Sequence, residues 1–267
     1  MQNIILFIKS YKPDYERVLV LLNSIKKFNR DNIPVYLSVN DADYDFFNAK
    51  IDATIFLLKD SDIISCNIKD PWRYQQVIKS SVHKLNICKN YLCLDSDSEF
   101  ITDFHIKDFI YKEDVPYTII HDPKCFLETM ERINIDTEKI FFKEAINCTR
   151  DFLNINDTER VWDFGPSPLL WSTKVWKAIE DYLAKDNLTL ENYIMDVYPS
   201  ESIIYGEFLR TNKTIEIIPV GPYFKVYHYK KQYKMEKKYH KIDTLKKIYL
   251  GVIFQSNWKK KSKYIFW

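Results

Sequence analysis

The chain of 267 residues is 46% hydrophobic and 16% aromatic, which excludes disorder and supplies a core for one large domain or two small ones. Its four glycines exclude Gly-rich repeats and phosphate loops of the G-x-G-x-x-G or Walker type, so a nucleotide would have to be held by other means. The net charge of +2 is unevenly spread: residues 225–267 hold 13 Lys and two acids (Glu236, Asp243), a surplus of eleven positive charges that leaves residues 1–224 at −9.

Ile4 to Ile8 is a continuous β-rich run, which reads as a strand buried on both faces. A loop over Ser10-Tyr11-Lys12-Pro13 leads to Asp14, placed to cap a helix with Val18, Leu19, Leu21, Leu22, Ile25 and Phe28 at helical spacing. Val35 to Val39 predicts a second strand, Asp41 to Ala49 a short helix and Thr54 to Leu58 a third strand. Pro71 opens a helix expected to run to about Cys88, and Tyr91 to Leu94 form a fourth strand. Strands alternating with helices at this pitch predict βαβ units and a mixed, mostly parallel sheet flanked by helices.

The second half is less regular. Tyr117 to Ile120 predicts a strand, residues 125–150 a helical region, and Val161 to Pro168 a loop stiffened by two prolines. Helices follow over Lys174 to Leu183 and from Ser200 to Leu209, then late strands at Ile215 to Ile218 and Phe224 to Tyr227. The reading is one domain over residues 1–228, with a nucleotide-binding half (1–104) and an elaborated second half (105–228). Residues 229–267 are read as a basic, aromatic tail. Five cysteines (Cys66, Cys88, Cys93, Cys125, Cys148) make neither a C-x-x-C pair nor a zinc spacing with His, which reads as reduced thiols. No signal peptide is expected from the start, and no window of about 18 apolar residues predicts a membrane span.

The most informative stretch is Tyr91-Leu92-Cys93-Leu94-Asp95-Ser96-Asp97. A buried strand that runs into two carboxylates is costly unless they are compensated. A divalent cation such as Mn²⁺ or Mg²⁺ supplies that compensation and also grips phosphates; a plain turn is the competing reading. In parallel sheets ligands bind beyond the carboxyl ends of the strands, where Ser10-Tyr11 also lies. On the preceding helix, Gln76, Lys79 and His83 fall on one face. Lys79 there is either solvated or a point charge for anionic oxygens. Glu201 is either a helix-start acid favoured by the macrodipole or a base in the crevice. Glu207 reads as solvent-facing, and Asp163 in the Pro-stiffened loop is a second candidate carboxylate. His228, at the end of a late strand, is either structural or a neutral ligand to a cation held by Asp97.

In chain order, Phe7-Ile8-Lys9-Ser10-Tyr11, Gln75-Gln76-x-x-Lys79, Leu94-Asp95-Ser96-Asp97-Ser98-Glu99-Phe100 and Ser200-Glu201 ahead of Tyr205-Gly206 resemble the GT-A glycosyltransferases, and more closely the bacterial DUF6492 family. The resemblance spans residues 3–228 and leaves out the tail. It implies a GT-A-like, Rossmann-type fold and a nucleotide-sugar donor, UDP-linked, held by Mn²⁺ or Mg²⁺. Asp97 would bind the metal, Asp95 the metal or the ribose, and His228 would be the third protein ligand. Ser10, Tyr11, Gln76 and Ser96 would line the donor pocket, with Lys79 facing the donor sugar or phosphate. Glu201, or else Asp163, would serve the acceptor hydroxyl.

The resulting expectation is a cytoplasmic, metal-dependent glycosyltransferase acting on a glycan or lipid-linked acceptor in bacterial capsule or lipopolysaccharide synthesis. Its basic tail would lie on the anionic inner face of the cytoplasmic membrane, or else form a C-terminal helix packed on the body with solvated lysines. Nucleic acid is not an expected partner, since no recognisable module accompanies the lysines. The alternatives are a nucleotidyl- or phosphotransferase using the same acidic strand end, and a non-catalytic nucleotide- or carbohydrate-binding protein.

Overall fold

The computed structural model describes residues 1–136, 142–156 and 160–255. Its first half alternates strands and helices as the periodicity predicts. β1 (Gln2–Ser10) leads to α1 (Tyr15–Phe28), β2 (Val35–Val39) to α2 (Tyr44–Asn48), and β3 (Phe56–Lys59) to α3 (Asp60–Ile63) and α4 (Pro71–Ser80). β4 (Cys88–Asp95) and β5 (Ser98–Phe100) follow. β6 (Ile110–Lys112), β7 (Val115–Pro116) and β8 (Thr118–Ile119) precede α5 (Lys124–Arg132) and α6 (Phe142–Phe152). After β9 (Leu169–Ser172) come α7 (Thr173–Leu183), α8 (Leu190–Asn192) and α9 (Glu201–Asn212). β10 (Pro219–Val220), β11 (Phe224–Tyr227), α10 (Lys230–Glu236), α11 (Ile242–Leu245) and β12 (Gly251–Phe254) complete the described chain.

The central sheet has the order β3-β2-β1-β4-β9. β1 runs parallel to β2 and β4, and β2 to β3; only β9 is antiparallel. The fold is therefore α/β and Rossmann-like. Alternation along β1 explains why both faces are covered. Ile4, Leu6 and Ile8 join a core that includes Val18, Leu21 and Ile25 of α1. Ile5 and Phe7 point the other way, into a core with Val77 of α4, Trp176 of α7 and Phe208 of α9.

Several expectations need correction. The helix opened by Pro71 ends at Ser80, not near Cys88. The Ser80 hydroxyl donates back to the Gln76 and Val77 carbonyls, and Asn86 turns the chain in the left-handed region (φ 52°) before β4. His83 accordingly leaves the Gln76–Lys79 face and meets Glu180 of α7 at 2.9 Å. Asp14 does not cap α1 through its side chain; its carboxylate binds Arg17 and Ser96 instead. Ile215 to Ile218 is not a strand, and the short pairing of β10 with β8 begins at Pro219. β9 was not foreseen: a four-residue buried run, Leu169-Leu170-Trp171-Ser172, is too short for periodicity to separate strand from loop.

The break at residue 228 is also not structural. β12 pairs in parallel with β11 and antiparallel with β5, so residues beyond 228 complete a three-stranded sheet. Leu245, Val252 and Ile253 of this segment are buried, while Ile242 and Ile248 are exposed. The run Lys259-Lys260-Lys261 lies outside the described residues. All five cysteines are free. Among the described residues no helix is long and apolar enough to cross a membrane.

Glu207 is the clearest reversal: it is fully buried, not solvent-facing. α9 is buried along most of its length, polar residues included, so its periodicity does not reveal a water-facing side. Arg150 of α6 grips the Glu207 carboxylate with two nitrogens, at 2.9 and 3.0 Å, and Arg210 adds a third contact at 3.0 Å. Removing one partner of a buried pair strands the other charge. Glu207→Ala should therefore lower unfolding free energy by about 3–5 kcal/mol in denaturant titrations, whereas the exposed Lys177→Ala should stay within about 0.5 kcal/mol.

Candidate active site at the carboxyl ends of β1 and β4

From β1 the chain moves outward to β2 and β3 on one side and then returns to β4 on the other. The gap beyond β1 and β4 is thus the topological switch point at which open α/β sheets bind ligands. Lys9 and Asp95 are opposite one another at this end. A cleft of about 1730 Å³ opens there. Ser10, Tyr11, Gln76, Lys79, Asp95, Ser96, Asp97, Asp163, Glu201 and His228 all line it, so every site residue singled out from the sequence reaches one cavity.

Lys79 is the hub of its floor. α4 presents Gln76 and Lys79 inward, and both are buried. The Lys79 ammonium lies 2.6 Å from Asp95 Oδ1 and 3.9 Å from Glu201 Oε1. Gln76 Oε1 accepts the Glu201 backbone N–H at 3.0 Å, which ties the start of α9 to α4. Burial works against the charged forms of Lys79 and Asp95, but their mutual attraction wins: the Lys79 ammonium is raised and the Asp95 carboxyl lowered. The nearby Ser167 side chain also favours the ionised Asp95. For Glu201 burial wins and its carboxyl is raised, since Lys79 is more distant and the charge of Asp95 adds to the effect.

The other residues flank this hub. Ser96 is buried and donates to Asp14 Oδ2 at 3.0 Å. Ser10 is buried, and its hydroxyl has no hydrogen-bond partner among the described residues. Tyr11 is exposed beside it, and Asp97 is half-buried at the end of the acidic turn. His228 follows β11, with its backbone N–H on Gln232 Oε1 at 2.9 Å and its ring edge-to-face with Phe126 at 5.1 Å. Burial, reinforced by the charge of Lys225, pushes the His228 imidazole down to about 4, so the ring is neutral near pH 7.

Asp163 also lines the cleft. The backbones of His121 and Asp163 exchange two hydrogen bonds, at 3.0 and 2.9 Å. The Gly165 N–H donates to Asp163 Oδ1 at 2.9 Å, and His121 Nε2 lies 3.8 Å from Asp163 Oδ2. Burial pushes the Asp163 carboxyl up to about 6, against the opposing pull of His121 and the Gly165 hydrogen bond. His121 was missed from the sequence because it meets Asp163 only through this long-range bridge. Lys9 was missed too. Its ammonium lies 3.0 Å from the buried Asp60 carboxylate and 3.2 Å from Asn40 Oδ1 at the cleft wall. A lone charge at the end of the apolar run of β1 was the available signal.

The expected metal set does not assemble from the protein alone. Among the described residues no three His, Cys, Asp or Glu side chains stand close enough to hold a metal ion together. Asp95 is instead compensated by Lys79. Asp95, Asp97 and His228 share the cleft but do not form a closed three-ligand cage.

No curated protein matches the chain. A family model, that of the family of unknown function DUF6492, matches residues 3–261 and so runs well past residue 228, where the resemblance was expected to end. The chain, from its first strand to beyond β12, belongs to the DUF6492 family.

Proposed function

We propose that this protein is a glycosyltransferase of GT-A type that moves a sugar from a nucleotide-sugar donor to a glycan or lipid-linked acceptor of bacterial surface polysaccharide. The observation that carries this reading is the Asp95–Lys79–Glu201 network at the switch point, which shares a cleft of about 1730 Å³ with Asp163. Single small-molecule sites usually occupy about 300–1,000 Å³, so the space suits two substrates meeting end to end. Ser10 and Tyr11 would contact the nucleoside, and Asp97 would face the diphosphate side. His228, neutral near pH 7, would offer a hydrogen bond without adding charge. Because the three-ligand cage does not form, no step is assigned to a cation.

In this reading Asp163 takes the role of base, ahead of Glu201. A general base works best when its pKa lies near the operating pH, and Asp163 is held at about 6. Asp163 would accept the proton of the acceptor hydroxyl as that oxygen bonds to the sugar anomeric carbon. The bond to the diphosphate breaks and the nucleoside diphosphate leaves with the electron pair, an inverting displacement. Glu201, turned toward Lys79 and pinned by Gln76, would position the acceptor and keep Lys79 in place.

A screen of nucleotide sugars by thermal shift should yield a donor that raises the melting temperature with the logarithm of its concentration. Mn²⁺ without nucleotide should leave that temperature unchanged; a large shift from the metal alone would contradict the open ligand set. Asp163→Asn should cut kcat by about 10²–10⁴-fold with donor affinity kept, and equal kcat in the variant would remove Asp163 as base. Because the Asp163 carboxyl is raised, its base form is lost on acidification. The wild-type rate should therefore fall below about pH 6 and level off above it, and a rate independent of pH between 5 and 7 would count against the assignment. Product mass decides the reaction class: a gain of one sugar supports transfer of glycosyl, while a nucleotide or phosphate on the acceptor points to a nucleotidyl- or phosphotransferase.

A further inference from the structure

Between α10 and β12 the chain presents a surface that the cleft chemistry does not use. Lys237, Lys238, Lys241, Lys246 and Lys247 are all exposed there, against a single exposed acid, Asp243. Among them Tyr239, Ile242 and Ile248 stand in water, 68%, 48% and 67% exposed. Leu245, between Ile242 and Ile248 in the chain, is buried against Ile101 and Val252 and anchors the segment to the body.

The surface sits on a fixed scaffold. Glu236 of α10 pairs with Lys225 of β11 at 2.7 Å and with His240 at 3.2 Å, and β12 anchors the far end in the three-stranded sheet. Large apolar side chains held in water among lysines mark an interaction site. Lysines alone would suit any polyanion. Two aliphatic isoleucines neither stack on bases nor hydrogen-bond to them, but they gain by entering an acyl layer, with tyrosine at the interface and lysine ammonium groups at anionic headgroups.

We infer that residues 237–248 form a docking surface for an anionic lipid bilayer. The segment is also continuous with the cleft wall: Tyr229 and Gln232 line the cleft before it, and Tyr249 lines it immediately after. Docking through this surface would bring that wall of the cleft to the membrane, where a lipid-linked acceptor would lie. This last step rests on the glycosyltransferase reading; the docking surface does not.

The test is flotation of the full chain with vesicles of phosphatidylcholine alone and of phosphatidylcholine with phosphatidylglycerol. The protein should float with the anionic vesicles only. The double variant Ile242→Glu/Ile248→Glu should float at least about tenfold more weakly, and Lys246→Glu/Lys247→Glu should lose the preference for anionic lipid. Both pairs are exposed, so an unchanged melting temperature and an unchanged thermal shift with the donor should accompany the loss. Flotation of the isoleucine variant equal to wild type overturns the proposal. So does absence of wild-type flotation, and retention on duplex DNA without flotation would assign the lysines to nucleic acid instead. Flotation that behaves as expected in a protein that shifts with no nucleotide sugar would leave docking standing and count only against the transferase reading.

Discussion

The ammonium of Lys79 is buried, and burying a lysine is tolerable only if opposite charge is brought to it. That requirement draws together three segments distant in sequence: α4, the end of β4 and the start of α9. Asp95 meets the ammonium at 2.6 Å and Glu201 at 3.9 Å, while Gln76 fixes the Glu201 backbone. The floor of the cleft is therefore set by charge compensation as much as by apolar packing. The turn that carries Asp97 inherits its position from Asp95.

The same low-dielectric setting sorts the carboxylates. Asp95, next to the ammonium, is held ionised; Asp163, buried opposite a more distant His121, is raised to about 6. Carboxyl groups with different burial and partners in one cavity can take different roles, which is how one site supports both positioning and proton transfer. The ion pair also changes the meaning of the acidic strand end. Two carboxylates read from sequence call for a cation, and in the fold the first of them is compensated by a side chain of the protein itself.

The parallel strands of the central sheet and the acidic strand end were legible because both are local patterns. A β-rich run, a helix at 3.6 spacing and Asp95-Ser96-Asp97 after an apolar stretch depend only on neighbours along the chain. Gln76 and Lys79 were legible because helical spacing places them on one face, and His83 failed the same argument because Ser80 and Asn86 end the helix early. Glu207 was misread because a helix buried on all sides has no polar face to betray an inward carboxylate. The segment after residue 228 was misread because its lysines dominate the composition. The short apolar run of β12 completes a sheet with β5, more than 150 residues earlier, a partner that composition cannot name.

By itself the sequence determined the α/β class, the order of the parallel strands' elements and the polar strand ends where a ligand site belongs, since these follow from periodicity and from the cost of burying charge. Only the tertiary structure decided which charges meet: Lys79 with Asp95, Arg150 with Glu207, His121 beside Asp163, and β12 with β11 and β5. Those pairings join residues from 16 to about 155 positions apart, and chain spacing carries no information about which buried group will lie within a few ångströms of another.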